Sequence, residues 1–299
     1  MKNTTIRWPL ASAVVLALGL TLTACFSGGN PEAGNGSDIA AAEPSASLHG
    51  HVHGLGIDPA DNQLYVATHE GVFTLGKAGA AQRVGTSTDD FMGFTVAKAR
   101  TFLASGHPAP GTGGPANRGL IESTDSGRTW KTRSLAGEVD FHALDYAHGS
   151  IYGYDSTNAL LRVSKDGADW DDRAGLQALD IAVSPDDPDT VLATTVDGVA
   201  QSTDGGKTFT PGKQPTMAFL SWPRSGALYG IDDAGRLNRS SDDGATWQQA
   251  GTVPGGQAQA LTAVDDRHIL AATQSGVYES RDGGRMFTKR FTVEAGDGH

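Results

Sequence analysis

An acidic phrase of about eight residues occurs five times between residue 123 and the C-terminal region of the chain and sets its period. The first copy reads Ser123-Thr-Asp-Ser-Gly-Arg-Thr-Trp130, and the others begin at Ser164, Ser202, Ser240 and Ser280. Their closing aromatic residues stand at positions 130, 170, 209, 247 and 287, so successive copies lie 40, 39, 38 and 40 residues apart. A repeat of this length is typical of propellers and solenoids, whose units bury their apolar faces only against neighbouring units.

Each repeat unit also contains short β-branched segments bounded by Gly, Pro and Asp, as half-buried antiparallel strands require. We count four strands per unit and one additional unit before the first acidic phrase. The six predicted units span residues 49–88, 89–138, 139–175, 176–214, 215–256 and 257–292. Six four-stranded sheets arranged radially form an all-β, six-bladed β-propeller. A seven-bladed propeller is the second choice, because it needs blades shorter than the observed period.

The N-terminus has the pattern of a bacterial lipoprotein signal. Lys2 and Arg7 precede an apolar run, which ends in Leu22-Thr-Ala-Cys25, a sequence that resembles a lipobox. Cys25 is the sole cysteine in the sequence, so lipid attachment explains it better than a disulfide; a plain transmembrane anchor is the alternative. We predict a signal peptide at 1–24, a lipidated Cys25 with a flexible linker at 25–48, and a propeller domain at 49–299. The protein would then be extracytoplasmic and anchored to a bacterial cell membrane.

The charge of the chain disfavours nucleic acid as a partner. The formal net charge is -11, and removal of Lys2 and Arg7 with the signal peptide makes it -13. No block of five or more basic residues remains to contact phosphates. We expect the protein to be a monomer. All interpretations share one partner, the membrane, to which the protein is attached through Cys25.

The acidic phrase resembles the Asp-box, or BNR, repeat of sialidases, sortilin-type receptors and photosystem assembly factors. The resemblance implies a propeller fold but no particular activity. In such a turn the aspartate accepts backbone N–H bonds, glycine takes a positive φ and the aromatic residue packs between sheets. We therefore predict a structural role for the repeated aspartates, with calcium at one of these turns as the alternative. They are Asp125, Asp166, Asp204, Asp242 and Asp282.

Histidines gather on one predicted rim of the propeller. The resemblance implies that residues just before the first strand and just after the second strand of a blade share a rim. Alignment of the units gives two levels before the first strands, because alternate residues point to the same side. The outer level contains His51, Asp90 and Asp140, and the inner level contains His53, Met92 and His142. The ends of the second strands add His69 with Glu70, His107, and Tyr154 with Asp155, and His49 also lies on this rim.

This rim predicts a site for a transition metal or for another polar ligand. Neutral imidazole suits zinc and copper, and carboxylates complete such sites. The candidate ligands are His51, His53, His69, His107 and His142, with Asp90 and Asp140 as ligands or as acceptors that orient the imidazoles. Met92 would favour copper if its thioether took part, and it is otherwise an apolar filler.

Two other functions remain open from the sequence. One is glycoside hydrolysis, for which a sialidase-like site implies an arginine cluster, whereas the arginines at 128, 281 and 285 lie inside the acidic phrases. A hydrolase that needs only two carboxylates has Glu70, Asp90 and Asp140 as candidates, with Asp89, Glu138 and Asp155 nearby. The other is a non-catalytic module whose rim binds a small polar ligand, a glycan or a protein. The insertion at 106–117, beside the histidines, is then either a lid or a tolerated surface loop.

Overall fold

The computed structural model describes residues 46–77 and 79–294. The predicted signal peptide, Cys25 and all but the last residues of the predicted linker lie outside the described residues, and so does His299. Within the described ranges, no helix has the length and hydropathy of a membrane span.

The described residues form 24 β-strands, which confirm the all-β, six-bladed propeller. The first strand is β1 (Ala46–His49). Blade 1 contains β2 (Val52–Ile57), β3 (Leu64–Thr68), β4 (Gly71–Leu75) and β5 (Ala81–Arg83). Blade 2 contains β6 (Asp90–Lys98), β7 (Thr101–His107), β8 (Leu120–Ser123) and β9 (Lys131–Ser134). Blade 3 contains β10 (Phe141–Ala147), β11 (Ser150–Asp155), β12 (Leu160–Ser164) and β13 (Asp171–Gly175).

The second half repeats this arrangement. Blade 4 contains β14 (Ile181–Val183), β15 (Val191–Thr195) and β16 (Gly198–Ser202). Blade 5 contains β17 (Phe219–Ser221), β18 (Leu228–Ile231), β19 (Arg236–Ser240) and β20 (Gln248–Thr252). Blade 6 contains β21 (Ala258–Ala263), β22 (Ile269–Thr273), β23 (Gly276–Ser280) and β24 (Thr288–Glu294). In each blade, strands that follow one another in the chain are hydrogen-bonded neighbours and run antiparallel. The first strand of each blade lies innermost.

Blade 4 departs from the predicted four strands. In place of a fourth strand it has an isolated bridge between Val199 and Lys213. Pro211 and Pro215 flank this bridge, and neither can donate an N–H bond to a neighbouring strand. The outer edge of this blade is therefore irregular, although its inner strands keep the common pattern.

The sheet of blade 6 is closed by the N-terminal strand, which sequence reasoning placed in the linker. β1 pairs in parallel with β24, with Leu48 opposite Val293. Ala46 and Leu48 are buried, whereas Ser47 and His49 are exposed, so the strand alternates as an edge strand should. The predicted boundary at residue 49 is therefore three residues late: the blade includes residues 46–48. A strand this short, with one large apolar residue, is recognisable only from its pairing with a segment at the other end of the chain.

Polar side chains on or next to the innermost strands join four of the six pairs of neighbouring blades. In each case a half-buried side chain of one blade bonds to the backbone of its neighbour, which satisfies backbone groups inside the ring. These bonds run from Thr262 Oγ1 to the Leu55 carbonyl (2.8 Å), from Val183 N to Asp145 Oδ2 (2.9 Å), from Leu220 N to Asp180 Oδ2 (2.8 Å) and from Ala263 N to Ser221 Oγ (2.8 Å). Burial raises the pKa of Asp180 to about 7. Asp145 and Asp180 thus help to hold neighbouring blades together.

The recurring acidic phrases form turns that are stabilised by hydrogen bonds within each turn. In the first copy, Asp125 accepts hydrogen bonds from the Thr129 N–H (2.9 Å), the Thr129 hydroxyl (2.6 Å) and the Ser123 hydroxyl (2.8 Å). Gly127 takes a φ of +82°, and Trp130 packs on Phe91 with ring centroids 4.9 Å apart. In the third copy, bonds from the equivalent threonine lower the pKa of Asp204 to about 2. Each of these carboxylates is engaged by its own turn.

Candidate metal site

β-Bulges aim the inner-level residues of the predicted rim. Blades 1, 2 and 3 each have a register shift at the start of the innermost strand, at His53, Met92 and His142. A bulge inserts one residue, bends the strand and redirects its side chain. Gln259 occupies the same kind of bulge in blade 6, where its Oε1 accepts a hydrogen bond from Val52 N (3.1 Å). We call this rim, which carries His51, His53, His69, His107 and His142 with Asp90 and Asp140, the histidine rim.

Three imidazoles on blade 1 meet at the histidine rim. One ring nitrogen from each of His51, His53 and His69 lies within 4.8 Å of the others. The ring centroid of His53 is 4.7 Å from that of His51 and 4.4 Å from that of His69. Nε2 of His53 lies 3.3 Å from Nε2 of His69. Two nitrogen ligands on a tetrahedral zinc ion, with bonds of about 2.0–2.1 Å, lie about 3.3 Å apart. His53 and His69 are therefore spaced as two ligands of one ion, and the nitrogen of His51 completes the group within 4.8 Å.

Asp90, from the first strand of blade 2, supports this group. Its Oδ1 lies 3.0 Å from His69 Nδ1 and 3.9 Å from His53 Nε2. The same oxygen is buried and accepts no well-aligned hydrogen bond. The Asp90 carboxylate raises the pKa of His69. A carboxylate at Nδ1 leaves Nε2 available to a metal ion, which is the usual support of a metal-binding histidine. His53 Nε2 lies close to both nitrogens of His69, 3.4 Å from Nδ1 and 3.3 Å from Nε2.

The crowding of imidazoles keeps the central ring neutral. Burial, followed by the neighbouring rings of His51 and His69, lowers the pKa of His53 to about 2. Partial burial and the nearby His69 also lower the pKa of His51. A metal ion requires the unprotonated imidazole, so these two rings are ready to bind without first losing a proton.

A second group of the predicted residues lies on blades 2 and 3. Asp140 Oδ2 is 2.7 Å from His142 Nε2 and 3.5 Å from His107 Nε2. The side chain of Asp140 is only 8% exposed, and its other oxygen, Oδ1, is buried without a hydrogen-bond partner. His107 is held from its far side, because its Nδ1 lies 3.0 Å from the Ala116 carbonyl. The histidine rim thus has two clusters, each of which combines imidazoles with one carboxylate, half-buried in Asp90 and buried in Asp140.

Several other residues predicted on this rim have different partners. His49 lies on β1 and pairs with Glu294 at 3.6 Å, and Glu70 is exposed. Tyr154 is buried and donates to the Leu176 carbonyl, whereas Asp155 is fully buried against Arg162, 3.1 Å from its Nε. Asp155 is therefore a poor candidate for an acid or a nucleophile.

The insertion at 106–117 is tied to its blade by Asp89. This carboxylate accepts bonds from Arg118 Nη2 (2.6 Å) and from Ala109 N (3.0 Å). The insertion also supplies the Ala116 carbonyl that fixes His107. Sequence reasoning placed the loop beside the histidines, but it missed this backbone group because a carbonyl has no signature in the sequence.

The site lies at one end of a cavity along the propeller axis. The cavity has a volume of about 520 Å³, and His53 and His142 both line it. It is otherwise walled by the innermost strands. At the turn after β17, the guanidinium of Arg224 donates to the Ala97 carbonyl of blade 2 (3.2 Å). Because that turn is at the opposite end of the innermost strand from the histidine rim, the arginine narrows the far end of the cavity.

No family model and no curated protein matches the chain. Among solved structures, it is similar to a protein provisionally named a gluconolactonase, with a TM-score of 0.62 and 12% identity over 82% of this chain and 91% of that one. It is also similar to virginiamycin B lyase from Staphylococcus aureus, with a TM-score of 0.54 and 12% identity over 77% of this chain and 80% of that one. The GH74 xyloglucanase from Xanthomonas campestris has a TM-score of 0.53 and 18% identity over 81% of this chain.

The chain spans only 45% of that xyloglucanase and 38% of an ancestral GH74 enzyme with a TM-score of 0.53. At these identities the likeness shows the fold alone, since propellers carry many unrelated functions. Fold and site together define a β-propeller with a histidine cluster that could hold a metal ion.

Proposed function

We propose that this protein is an extracytoplasmic, lipid-anchored β-propeller that binds a transition-metal ion through His51, His53 and His69. The observation that carries the proposal is the approach of three imidazole nitrogens to within 4.8 Å of one another. Asp90 supports it by holding His69 from the Nδ1 side. The lipobox-like sequence that ends at Cys25 supports the membrane anchor, and the acidic net charge would attract cations to the surface.

The ligand chemistry favours zinc or copper. Calcium takes six to eight oxygen ligands, whereas this cluster offers nitrogen. Three protein ligands leave a fourth position on a tetrahedral ion for water or for a small ligand, and such an open position is typical of sites that exchange or activate what they bind. His51 is exposed and the side chain of His69 is 45% exposed, so the position is accessible from solvent. We therefore assign to the protein the capture of a metal ion at the cell surface.

We expect zinc to stabilise the full-length, EDTA-treated protein. A ligand present at 100 times its Kd stabilises the folded state by about 2.7 kcal/mol. For a domain of this size, this corresponds to a rise in Tm of about 5–10 °C. Differential scanning calorimetry with and without zinc measures the shift. The double variant His51→Ala/His69→Ala should show a clearly smaller shift than the wild type, because one imidazole of three remains at this site.

His49→Ala is the matched control for this experiment. His49 lies two residues before His51, but it belongs to β1 and pairs with Glu294, so its removal should leave the zinc response unchanged. An equal zinc response in the double variant and in the wild type would overturn the proposed site.

Glycoside hydrolysis is the second candidate, and it rests on one carboxylate from each of two neighbouring blades. Asp90 and Asp140 each have an Oδ1 atom that accepts no aligned hydrogen bond, as an acid pair facing a substrate would. Both, however, also contact imidazole nitrogens at 3.5 Å or less, which fits metal binding better. Turnover of an aryl glycoside that persists in EDTA but is lost in Asp140→Asn would reverse this ranking.

A further inference from the structure

We propose that the histidine rim holds a second transition-metal ion, bound by His107, Asp140 and His142, next to the ion at His51, His53 and His69. This inference rests on the proposed function and deepens it, because it turns one metal site into a pair. The rim would then bind two divalent ions of the zinc or copper class.

The orientation of His107 is the first argument. A carbonyl oxygen only accepts hydrogen bonds, so the 3.0 Å contact between Nδ1 and the Ala116 carbonyl places the proton of the neutral ring on Nδ1. The lone pair is then on Nε2, the atom that faces Asp140 at 3.5 Å. A backbone carbonyl at one ring nitrogen is the usual support of a histidine that binds metal through the other.

The state of Asp140 is the second argument. Its carboxylate is more than nine-tenths buried, and Oδ2 lies between two imidazole Nε2 atoms while Oδ1 has no partner. Burial of a carboxylate oxygen without a hydrogen bond is costly. A cation bound to Oδ2 would offset the cost of burying the negative charge of this carboxylate.

An ion in place of a proton would draw the two imidazoles together, because among the described residues only the nitrogens of His51, His53 and His69 already lie within 4.8 Å of one another. Without metal, His142 Nε2 donates to Asp140 Oδ2 at 2.7 Å. Metal binding would release this proton, and the ion would then form one bond to His142 Nε2 and one to Asp140 Oδ2. Ligand atoms on a tetrahedral ion lie about 3.3 Å apart, so the 2.7 Å contact must widen by about 0.6 Å, whereas the 3.5 Å contact to His107 is already close. The side chain of His142 is 34% exposed, which leaves it room to move.

The two groups are separate but adjacent. Each has its own carboxylate: Asp90 contacts His53 and His69, and Asp140 contacts His107 and His142. One ion takes four to six ligands, whereas the rim offers five imidazoles and two carboxylates. Their adjacency follows from the register, because Asp90 of the first group is the direct strand partner of His107 in the second.

Metal stoichiometry of the full-length protein tests this inference. The protein is stripped with EDTA, dialysed against zinc and analysed for zinc per chain. We expect two ions in the wild type and in His49→Ala, and one ion in each of His53→Ala and His142→Ala. His107→Ala provides a second variant for the new site, because its side chain is 39% exposed and its loss should be better tolerated by the fold. It too should hold one ion.

The outcomes separate the two proposals. A single ion that is lost in His53→Ala and retained in His142→Ala and His107→Ala would overturn the second site and leave the first intact. A single ion lost in both His53→Ala and His142→Ala would mean one shared site, which also overturns the pair. Two ions in His107→Ala would overturn the assignment of that ligand, and no bound zinc in the wild type would overturn both proposals.

Discussion

Acidification from pH 6.5 to pH 4 should destabilise the metal-free protein by about 3 kcal/mol through His53 alone. The folded-state pKa of His53 is about 2, lowered by burial and by the imidazoles around it, against an ordinary value of 6.5. Below pH 6.5 the His53 imidazole therefore binds a proton in the unfolded chain but not in the folded chain. Stability from this group is fully present above pH 6.5 and is lost as the pH falls towards 2, at about 1.4 kcal/mol per pH unit.

His69 acts in the opposite direction and does not mask this effect. Its pKa is raised by Asp90, so its contribution is fully present below the ordinary value of 6.5 and is lost as the pH rises through the folded value. Between pH 6.5 and pH 4 it is therefore nearly constant. Other titrating groups are common to the wild type and its variants, so the comparison between them isolates His53.

Urea unfolding at pH 6.5, 5.5 and 4.5, with EDTA present, measures the effect. The free energy of unfolding of the wild type should fall more steeply than that of His53→Asn, which cannot take up the proton. His49→Asn is the control, since this exposed side chain lies on the outermost strand of blade 6, and it should follow the wild type. Parallel pH profiles for the wild type and His53→Asn would show that the central imidazole is protonated as readily as in the unfolded chain.

The fold was predictable because the acidic phrase recurs in the sequence at a regular period. Five copies locate the blades, and the histidines then fall at matching positions just before the first strands and after the second strands. Sequence reasoning therefore placed His51, His53, His69, His107 and His142 on one rim. It could not separate them into two clusters, because that division depends on which imidazoles Asp90 and Asp140 each contact.

What the sequence left out depends on contacts between distant segments. β1 is a strand because it pairs with β24 at the far end of the chain, and nothing in its four residues demands this. Asp155 looked like a free acid at a strand end, but it is neutralised by Arg162, seven positions later on the neighbouring strand. The bulges at His53 and His142 are likewise properties of strand pairing. Alternation along a single strand predicts the level of a side chain, whereas the partner strand decides where it is aimed.

The replacement Gly106→Ala should destabilise the protein by at least about 3 kcal/mol and remove bound metal from the histidine rim. Gly106 has a φ of +144°, a conformation that costs other residues about 1–3 kcal/mol. A Cβ atom there would also lie 1.9 Å from the carbonyl oxygen of Asp90 and 2.9 Å from the backbone nitrogen of Met92. These are backbone atoms of the paired strand β6, so the side chain cannot be accommodated without separating β6 from β7.

That separation would occur where the two proposed metal sites adjoin, since Gly106 pairs with Phe91 between Asp90 and Met92, and His107 is the next residue. Gly111→Ala is the matched control. Gly111 also has a positive φ, +79°, but its Cβ would meet no atom within 4 Å, so the cost should be about 1–2 kcal/mol with metal content unchanged. Guanidinium unfolding and zinc analysis of both variants measure the difference. If Gly106→Ala kept the zinc content of the wild type, the close pairing of β6 and β7 would not be what positions Asp90 and His107.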